Sequence, residues 1–231
     1  IGDPDLPTPP FIIDRLSTAA KNPANHQYPS YRGMMEFRHA AAKFMQKRFG
    51  VTCSAEKEVI TLIGSKEGIA HIPFAFVNPG EGVLVPDPGY PVYSVATQFA
   101  GGVPLFFPLK EEKGFLPDFA DLERLVRSGP KVRMIFLNYP NNPTAACATL
   151  EFFDKIVAFA KKHQIIVCHD NAYSELFFDG KKQSFYSLPN PISLSAHLLI
   201  YWQDSYGAPQ IQKHSPPFNS LHYAAHNFAF F

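Results

Sequence analysis

The sequence has few cysteines, little net charge and no long apolar run, and each shortage excludes a class of protein. The three cysteines Cys53, Cys147 and Cys168 are odd in number and lack metal-ligand spacing, so free intracellular thiols are expected. A net charge of +1 argues against a dedicated nucleic-acid surface. No apolar run is as long as a membrane span, and no secretory signal pattern opens the sequence. We therefore expect a cytoplasmic protein that binds neither nucleic acid nor membrane.

Two common phosphate-binding fingerprints are absent as well, since neither G-x-x-x-x-G-K-[ST] nor G-x-G-x-x-G occurs. A different anion site is suggested where an apolar run at 59–63 leads through Gly64 into a helical pattern. Backbone N–H groups at a helix N-terminus bind anions, which makes Ser65 and Lys66 candidate phosphate ligands. A serine at this position is also an ordinary helix cap, and the residues alone do not decide between the two interpretations.

Apolar runs alternate with amphipathic segments through most of the chain. Strands are predicted at 59–63, 82–85, 103–108, 132–137 and 165–168, and helices near 11–20, 34–49, 64–76, 92–100, 118–126 and 152–160. Such alternation predicts an α/β fold with three layers and a mainly parallel sheet.

Polar residues follow two of these strands. A turn rich in Asn and Pro, which includes Asn142, follows the strand at 132–137, and Asp170 follows the strand at 165–168. Ligands of open α/β sheets bind beyond the carboxyl ends of the strands, so Asn142 and Asp170 are expected at one edge. From the residues alone, an aspartate at a strand end is more often a cap or a turn former.

The segments NYPNNPT at 138–144 and DNAY at 170–173 resemble the fold-type-I aminotransferases of class I/II, which use pyridoxal 5′-phosphate (PLP). Within them the sequence is most similar to the LL-diaminopimelate aminotransferase group. The resemblance implies that Asp170 pairs with the pyridine nitrogen of PLP and that Asn142 and Tyr173 hydrogen-bond its phenolic oxygen. An anionic carboxylate keeps the ring nitrogen protonated, so that the ring can accept the electrons of a carbanion.

Further positions match the same family. The resemblance implies that Ser65 and Lys66 form the phosphate cup and that Tyr90 stacks on the PLP ring. It also implies a homodimer in which Tyr28 reaches the PLP phosphate of the neighbouring subunit, and it places Gly2 near the substrate carboxylate. Without the resemblance, Tyr90 could equally be a core residue, Tyr28 an aromatic anchor in a loop, and Gly2 a turn glycine.

The resemblance covers about residues 1–182 and has three departures. Ala145 replaces the usual glycine after Asn-Pro-Thr, in a turn that favours positive φ. The Schiff-base lysine, which the family carries in a Ser-x-Ser-Lys segment, is not found, and Lys213 lacks that context. Two arginines, one for the phosphate and one for the substrate carboxylate, are missing too. No catalytic residue is therefore predicted, and we expect a fragment of a protein about twice as long that also lacks an N-terminal arm.

The last 48 residues differ from the rest in composition. Only Asp204 and Lys213 are charged between residues 184 and 231, and four of the nine histidines lie there without ligand-like spacing. The segment has no clean helical or strand period. We divide the chain into an N-terminal segment (1–30), the N-terminal part of an incomplete PLP-binding large domain (31–183) and an aberrant low-charge tail (184–231).

Three functional hypotheses follow. The first is an aminotransferase by descent, which moves an amino group between an LL-diaminopimelate- or aspartate-like amino acid and a 2-oxo acid, and which is inactive as this fragment. Inactivity is expected because the absent lysine serves both as the covalent link to PLP and as the base. The second is a non-catalytic protein that keeps a PLP-pocket remnant or only an interaction surface. The third is another fold-type-I enzyme, such as a lyase or an aminocyclopropane-carboxylate synthase-like protein.

Overall fold

A computed structural model describes residues 7–175 and the backbone of two further strands at 197–202 and 227–230. The helices are α1 (Pro10–Ala20), α2 (Met35–Phe49), α3 (Ser65–Phe76), α4 (Val92–Phe99), α5 (Phe119–Ser128) and α6 (Leu150–His163). The strands are β1 (Val59–Thr61), β2 (Gly82–Asp87), β3 (Val103–Pro108), β4 (Val132–Asn138), β5 (Ile166–Asp170), β6 (His197–Trp202) and β7 (Asn227–Phe230). Every helix and strand predicted within residues 11–170 is present, and the ends differ by a few residues.

The seven strands form one sheet in the order β1-β7-β6-β5-β4-β2-β3. The five strands from β6 to β3 pair in parallel, whereas β7 pairs antiparallel with both β6 and β1. Because β7 is antiparallel to both of its neighbours, β1 runs in the same direction as β6 and the other parallel strands. The prediction of a mainly parallel sheet is therefore confirmed, and β7 is the one strand of this sheet that runs the other way.

Helices cover both faces of the sheet. Successive side chains of a strand point to opposite sides, so one strand can contribute to the core on each face. On one face, Ile135 and Leu137 of β4 pack in a core with residues of α2, α5 and α6. On the other face, Met134 and Phe136 pack with residues of α3 and α4. This alternation confirms the three-layer arrangement, with β4 buried on both sides.

The tail contributes two strands that its sequence pattern did not predict. Residues 197–202 extend the parallel sheet beside β5, and residues 227–230 insert between β6 and β1. The place of such a strand depends on backbone pairing with partners that are distant in the sequence, so local sequence patterns do not mark it. The rest of the tail lies outside the described residues, and the boundary at residue 183 stays a prediction.

Helix termini follow the local sequence at the elements that border the site. Helix α6 begins after Thr149, whose hydroxyl accepts the N–H of Phe152 at 3.2 Å. Helix α2 ends at Gly50 with φ of 73°, a left-handed cap that suits glycine. None of the helices in the described part is long and apolar enough to cross a membrane.

Candidate active site

The carboxyl ends of four strands that run in the same direction carry the predicted site residues. Ser65 begins α3 shortly after β1, and Tyr90 follows β2. Asn142 follows β4, and Asp170 is the last residue of β5. In the register of the sheet, Asn138 of β4 lies directly opposite Asp170 of β5. Since β1, β2, β4 and β5 all point the same way, these loops meet at one edge of the sheet.

Asp170 is a buried carboxylate with one free oxygen. Its Oδ2 accepts a hydrogen bond from the hydroxyl of Tyr93 at 2.9 Å, whereas Oδ1 has no hydrogen-bond partner among the described residues. Burial raises the pKa of Asp170 to about 6, and the hydrogen bond from Tyr93 acts in the opposite direction. Burial and the neighbouring charge of Asp170 raise the pKa of Tyr93, so its hydroxyl remains a donor.

A chain of ring contacts links Asp170 to the start of α3. Tyr93 stacks on Phe136, with the ring centroids 4.8 Å apart, and meets Tyr90 edge to face at 5.8 Å. The Nζ atom of Lys66 lies 5.8 Å from the centroid of the Tyr90 ring, within the range of a cation–π contact. The structure thus brings Lys66, Tyr90 and Asp170 together through Tyr93.

The N-terminus of α3 follows a glycine with positive φ. Gly64 has φ of 89°, which glycine adopts without strain. Ser65 is buried at the first helical position, and Lys66 beside it is exposed. The carboxylate of Glu67, also in this first turn, accepts a hydrogen bond from the backbone N–H of Ile63, which precedes the helix. The helix N-terminus therefore presents backbone donors next to a lysine.

The asparagine-rich turn after β4 is held by its own side chains. Asn141 donates from Nδ2 to the backbone oxygen of Asn138 at 3.1 Å. The Oδ1 atom of Asn141 accepts from the N–H and the hydroxyl of Thr144 at 3.1 and 2.8 Å. Ala145 has φ of 59°, which confirms that this position favours positive φ. Asn142 itself is exposed, so its side chain is accessible at the edge of the sheet.

The remaining predicted residues are placed differently. Tyr173 lies three residues after Asp170 and is half-buried, and its proximity contributes to the raised pKa of Tyr93 after burial and Asp170. Tyr28 is fully exposed. Gly2 and Lys213 lie outside the described residues. Within the described part, no cluster of His, Cys, Asp or Glu could hold a metal ion.

Three residues of this region were not predicted from the sequence as part of the site. Tyr93 lies in the first turn of α4, three residues after Tyr90, which precedes the helix. The short spacing between the two tyrosines could have suggested that they lie close together. Asn138 ends β4, and its amide contacts both β5 and the turn. His169 precedes Asp170 on β5 and packs against Phe153 of α6. Burial lowers the pKa of His169 to about 4, while a hydrogen bond with the backbone of Tyr139 acts in the opposite direction.

The donors and acceptors at this edge fit PLP. The free Oδ1 of Asp170 is a buried acceptor that a protonated pyridine nitrogen would satisfy. The exposed amide of Asn142 suits a phenolic oxygen, and the start of α3 suits a phosphate. Tyr90 offers an aromatic ring between these two ends.

Comparison with known proteins assigns the family. The family model "Aminotransferase class I and II" matches residues 1–201. The chain therefore belongs to the class I and II aminotransferases, a family that depends on PLP. The match extends beyond residue 182, where the sequence resemblance was expected to end, and takes in most of β6.

The similar curated proteins are LL-diaminopimelate aminotransferases. The chain is 55% identical to the one from Syntrophobacter fumaroxidans over 190 residues, which cover 82% of the chain and 48% of that protein. It is 53% identical to the one from Aquifex aeolicus over 182 residues, 79% of the chain and 46% of that protein. The chain thus spans about half the length of these relatives.

Solved structures agree on the fold. Apo-BacF from Bacillus subtilis superposes with a TM-score of 0.82 at 38% identity, covering 99% of the chain and 54% of that structure. An aminotransferase from Staphylococcus aureus superposes with a TM-score of 0.80 at 34% identity, covering 100% of the chain and 57% of that structure. Both likenesses support the α/β fold of this family.

Proposed function

We propose that this chain supplies the cofactor-binding half of a cytoplasmic PLP-dependent aminotransferase that acts on an LL-diaminopimelate-like amino acid and a 2-oxo acid. The observation that carries the proposal is the free oxygen of Asp170. It is a buried carboxylate atom without a hydrogen-bond partner among the described residues, and Tyr93 holds its companion oxygen. The identity with LL-diaminopimelate aminotransferases supports the choice of substrate.

Each proposed contact uses a residue at the same edge of the sheet. Asp170 would hold the ring nitrogen, and Tyr90 the face of the ring. Asn142 and Tyr173 would hold the phenolic oxygen, and the backbone N–H groups of Ser65 and Lys66 the phosphate. When bound, PLP supplies the electron sink for a carbanion at the α-carbon of the substrate.

Two further contacts, which involve Tyr28 and Gly2, belong to this proposal. Tyr28 of the partner subunit would reach the phosphate in a homodimer, and its complete exposure leaves its hydroxyl available for such a contact. Gly2 would lie near the substrate carboxylate. Both roles rest on the family resemblance of the sequence.

Asp170 and Tyr93 set the charge at the proposed position of the pyridine nitrogen. With a pKa of about 6, Asp170 is mostly ionised at neutral pH although it is buried. The hydroxyl of Tyr93 fixes one carboxylate oxygen, which leaves the other directed to a ligand. A buried anion of this kind favours a protonated pyridine nitrogen.

The cofactor contact can be tested by PLP titration of the full chain followed by absorbance. Asp170→Asn should weaken PLP binding by tenfold or more, since the loss of an ionic hydrogen bond costs about 1.5–3 kcal/mol. Asp154→Asn, which changes an exposed aspartate on α6, is the matched control and should bind as the unchanged chain does. Equal binding by the chain and its Asp170→Asn variant would contradict the proposed site.

The catalytic limit of the chain needs a separate test. Because the family's lysine motif is absent from the sequence, we expect no amino-donor turnover with PLP and no stoichiometric lysine adduct after borohydride treatment and peptide mapping. A site-specific adduct at Lys213, with turnover that Lys213→Ala abolishes, would show instead that the tail supplies a working lysine.

A further inference from the structure

We propose that Asn138 is a positioning residue that sets Asn142 relative to Asp170, so that one buried amide fixes the spacing of two cofactor contacts. The inference rests on the proposed function, in which Asp170 holds the ring nitrogen and Asn142 the phenolic oxygen. Asn138 itself is buried. None of the proposed contacts with the cofactor involves its side chain.

The geometry is a bridge through a single side chain. Asn138 is the last residue of β4, and its Nδ2 donates to the backbone oxygen of Asp170 at 2.8 Å. The Oδ1 atom of the same amide accepts the backbone N–H of Asn142 at 2.6 Å. Both ends of the amide are thus engaged, and a planar group of fixed length joins the end of β5 to the turn.

The turn on the far side of the bridge is internally tied. Asn141 binds the backbone oxygen of Asn138 and both polar groups of Thr144, so residues 138–144 are cross-linked by side chains. The backbone oxygen of Tyr139 also lies 3.2 Å from Nε2 of His169, which gives β5 a second link at the start of the turn. Of these two links to β5, the one through the Asn138 side chain also contacts Asn142 directly.

Asparagine suits this position because the bridge needs one donor and one acceptor on a short side chain. Alanine would remove both bonds and leave the N–H of Asn142 without its present acceptor. Serine would retain a hydroxyl that is too short to make both contacts. A turn that shifts by even a fraction of an ångström would move the Asn142 amide away from the ligand oxygen.

The test uses two ligands that differ only at the phenolic oxygen. 4-Deoxypyridoxine 5′-phosphate lacks the aldehyde, so it cannot react with any lysine, and its 3-O-methyl ether blocks the phenolic oxygen. In the unchanged chain the ether should bind about tenfold more weakly, because the phenolic oxygen loses its contacts with Asn142 and Tyr173. Both dissociation constants are measured by titration calorimetry on the full chain.

Asn138→Ala should weaken the parent ligand and lower the ratio of the two constants well below tenfold, since Asn142 no longer meets the phenolic oxygen and only the contact with Tyr173 remains. Leu137→Ala is the control for stability, because it removes a buried side chain from the same strand while the bridge stays intact. It should lower the melting temperature and keep the tenfold ratio. If Asn138→Ala does not fold, Asn138→Ser provides the same comparison.

The outcomes separate this inference from the proposed function. A tenfold ratio that persists in the folded Asn138→Ala or Asn138→Ser variant would overturn the inference and leave the cofactor site standing. Failure of the unchanged chain to bind the parent ligand would overturn the proposed function, and this inference with it. A ratio that falls well below tenfold only in the Asn138 variants supports the bridge, because a loss of general stability would weaken both ligands equally.

Discussion

The hydroxyl of Tyr93, on α4, lies 2.9 Å from Oδ2 of Asp170, on β5, and donates a hydrogen bond to it. The two residues are 77 positions apart in the sequence, and both are buried. The bond orients the carboxylate and stabilises its charged form, while the surrounding apolar core opposes that charge. Tyr93 therefore helps to set both the orientation and the charge state of Asp170.

Tyr93→Phe should raise the pKa of Asp170 above its value of about 6, by roughly one unit, because the carboxylate loses its donor. The titration is followed by carbon NMR of the aspartate carboxyls. Tyr139→Phe is the matched control, since it removes a buried hydroxyl that binds the backbone of Phe115 instead. An unchanged pKa in Tyr93→Phe would show that the hydrogen bond contributes little to the charge state.

Asp170 and His169 should make opposite contributions to the pH dependence of stability. The pKa of Asp170 rises from 3.8 to about 6 on folding, so between these pH values the native state binds more protons and stability falls as pH increases. The pKa of His169 falls from 6.5 to about 4, so the unfolded state binds more protons and stability rises with pH. The two effects, each on the order of 3 kcal/mol, act in opposite directions between pH 4 and 6.

Single variants should expose each contribution. Asp170→Asn leaves that of His169, so the free energy of unfolding should increase more steeply with pH between 4 and 6.5 than in the unchanged chain. His169→Gln leaves that of Asp170 and should make the slope between pH 4 and 6 more negative. Urea unfolding at a series of pH values measures both. Identical slopes in the two variants would contradict the assigned pKa shifts.

Ala145→Gly should stabilise the chain by about 0.5–1 kcal/mol. Ala145 has φ of 59°, a conformation that costs an alanine about 1–2 kcal/mol, and its side chain is exposed. The greater freedom of glycine in the unfolded state offsets part of this gain. Ala158→Gly, in the middle of α6, is the control and should destabilise by about 1 kcal/mol. Thermal unfolding distinguishes the two, and destabilisation by Ala145→Gly would show that the turn tolerates alanine without strain.

The ion pair between Arg48 and Glu175 should stabilise the loop that carries Tyr173. The Nε atom of Arg48 lies 2.5 Å from Oε1 of Glu175, and both side chains are largely buried. A double-mutant cycle with Arg48→Met and Glu175→Gln should give a coupling of about 1–3 kcal/mol. The exposed pair of Lys155 and Glu151 on α6 is the control and should couple more weakly. Equal coupling in both cycles would mean that burial does not strengthen the pair.

Much of the fold was predictable because its signals are local. The strand at 103–108 and the helices α3, α4 and α6 follow from apolar runs, spacing and turn residues. The turn at 138–144 and Asp170 stand out because strand ends carry asparagine and aspartate there, and a parallel sheet gathers such ends at one edge. Even the strain at Ala145 could be predicted, since a short turn demands positive φ regardless of what surrounds it.

The tertiary structure decided which distant groups meet. The insertion of β7 between β6 and β1 sets the direction of β1 and so brings Ser65 to the same edge as Asp170. The hydrogen bond from Tyr93 and the bridge through Asn138 join segments 77 and 32 residues apart. Such contacts depend on register and packing across the whole sheet, and the free energy that selects them comes from burial that no short stretch of sequence contains.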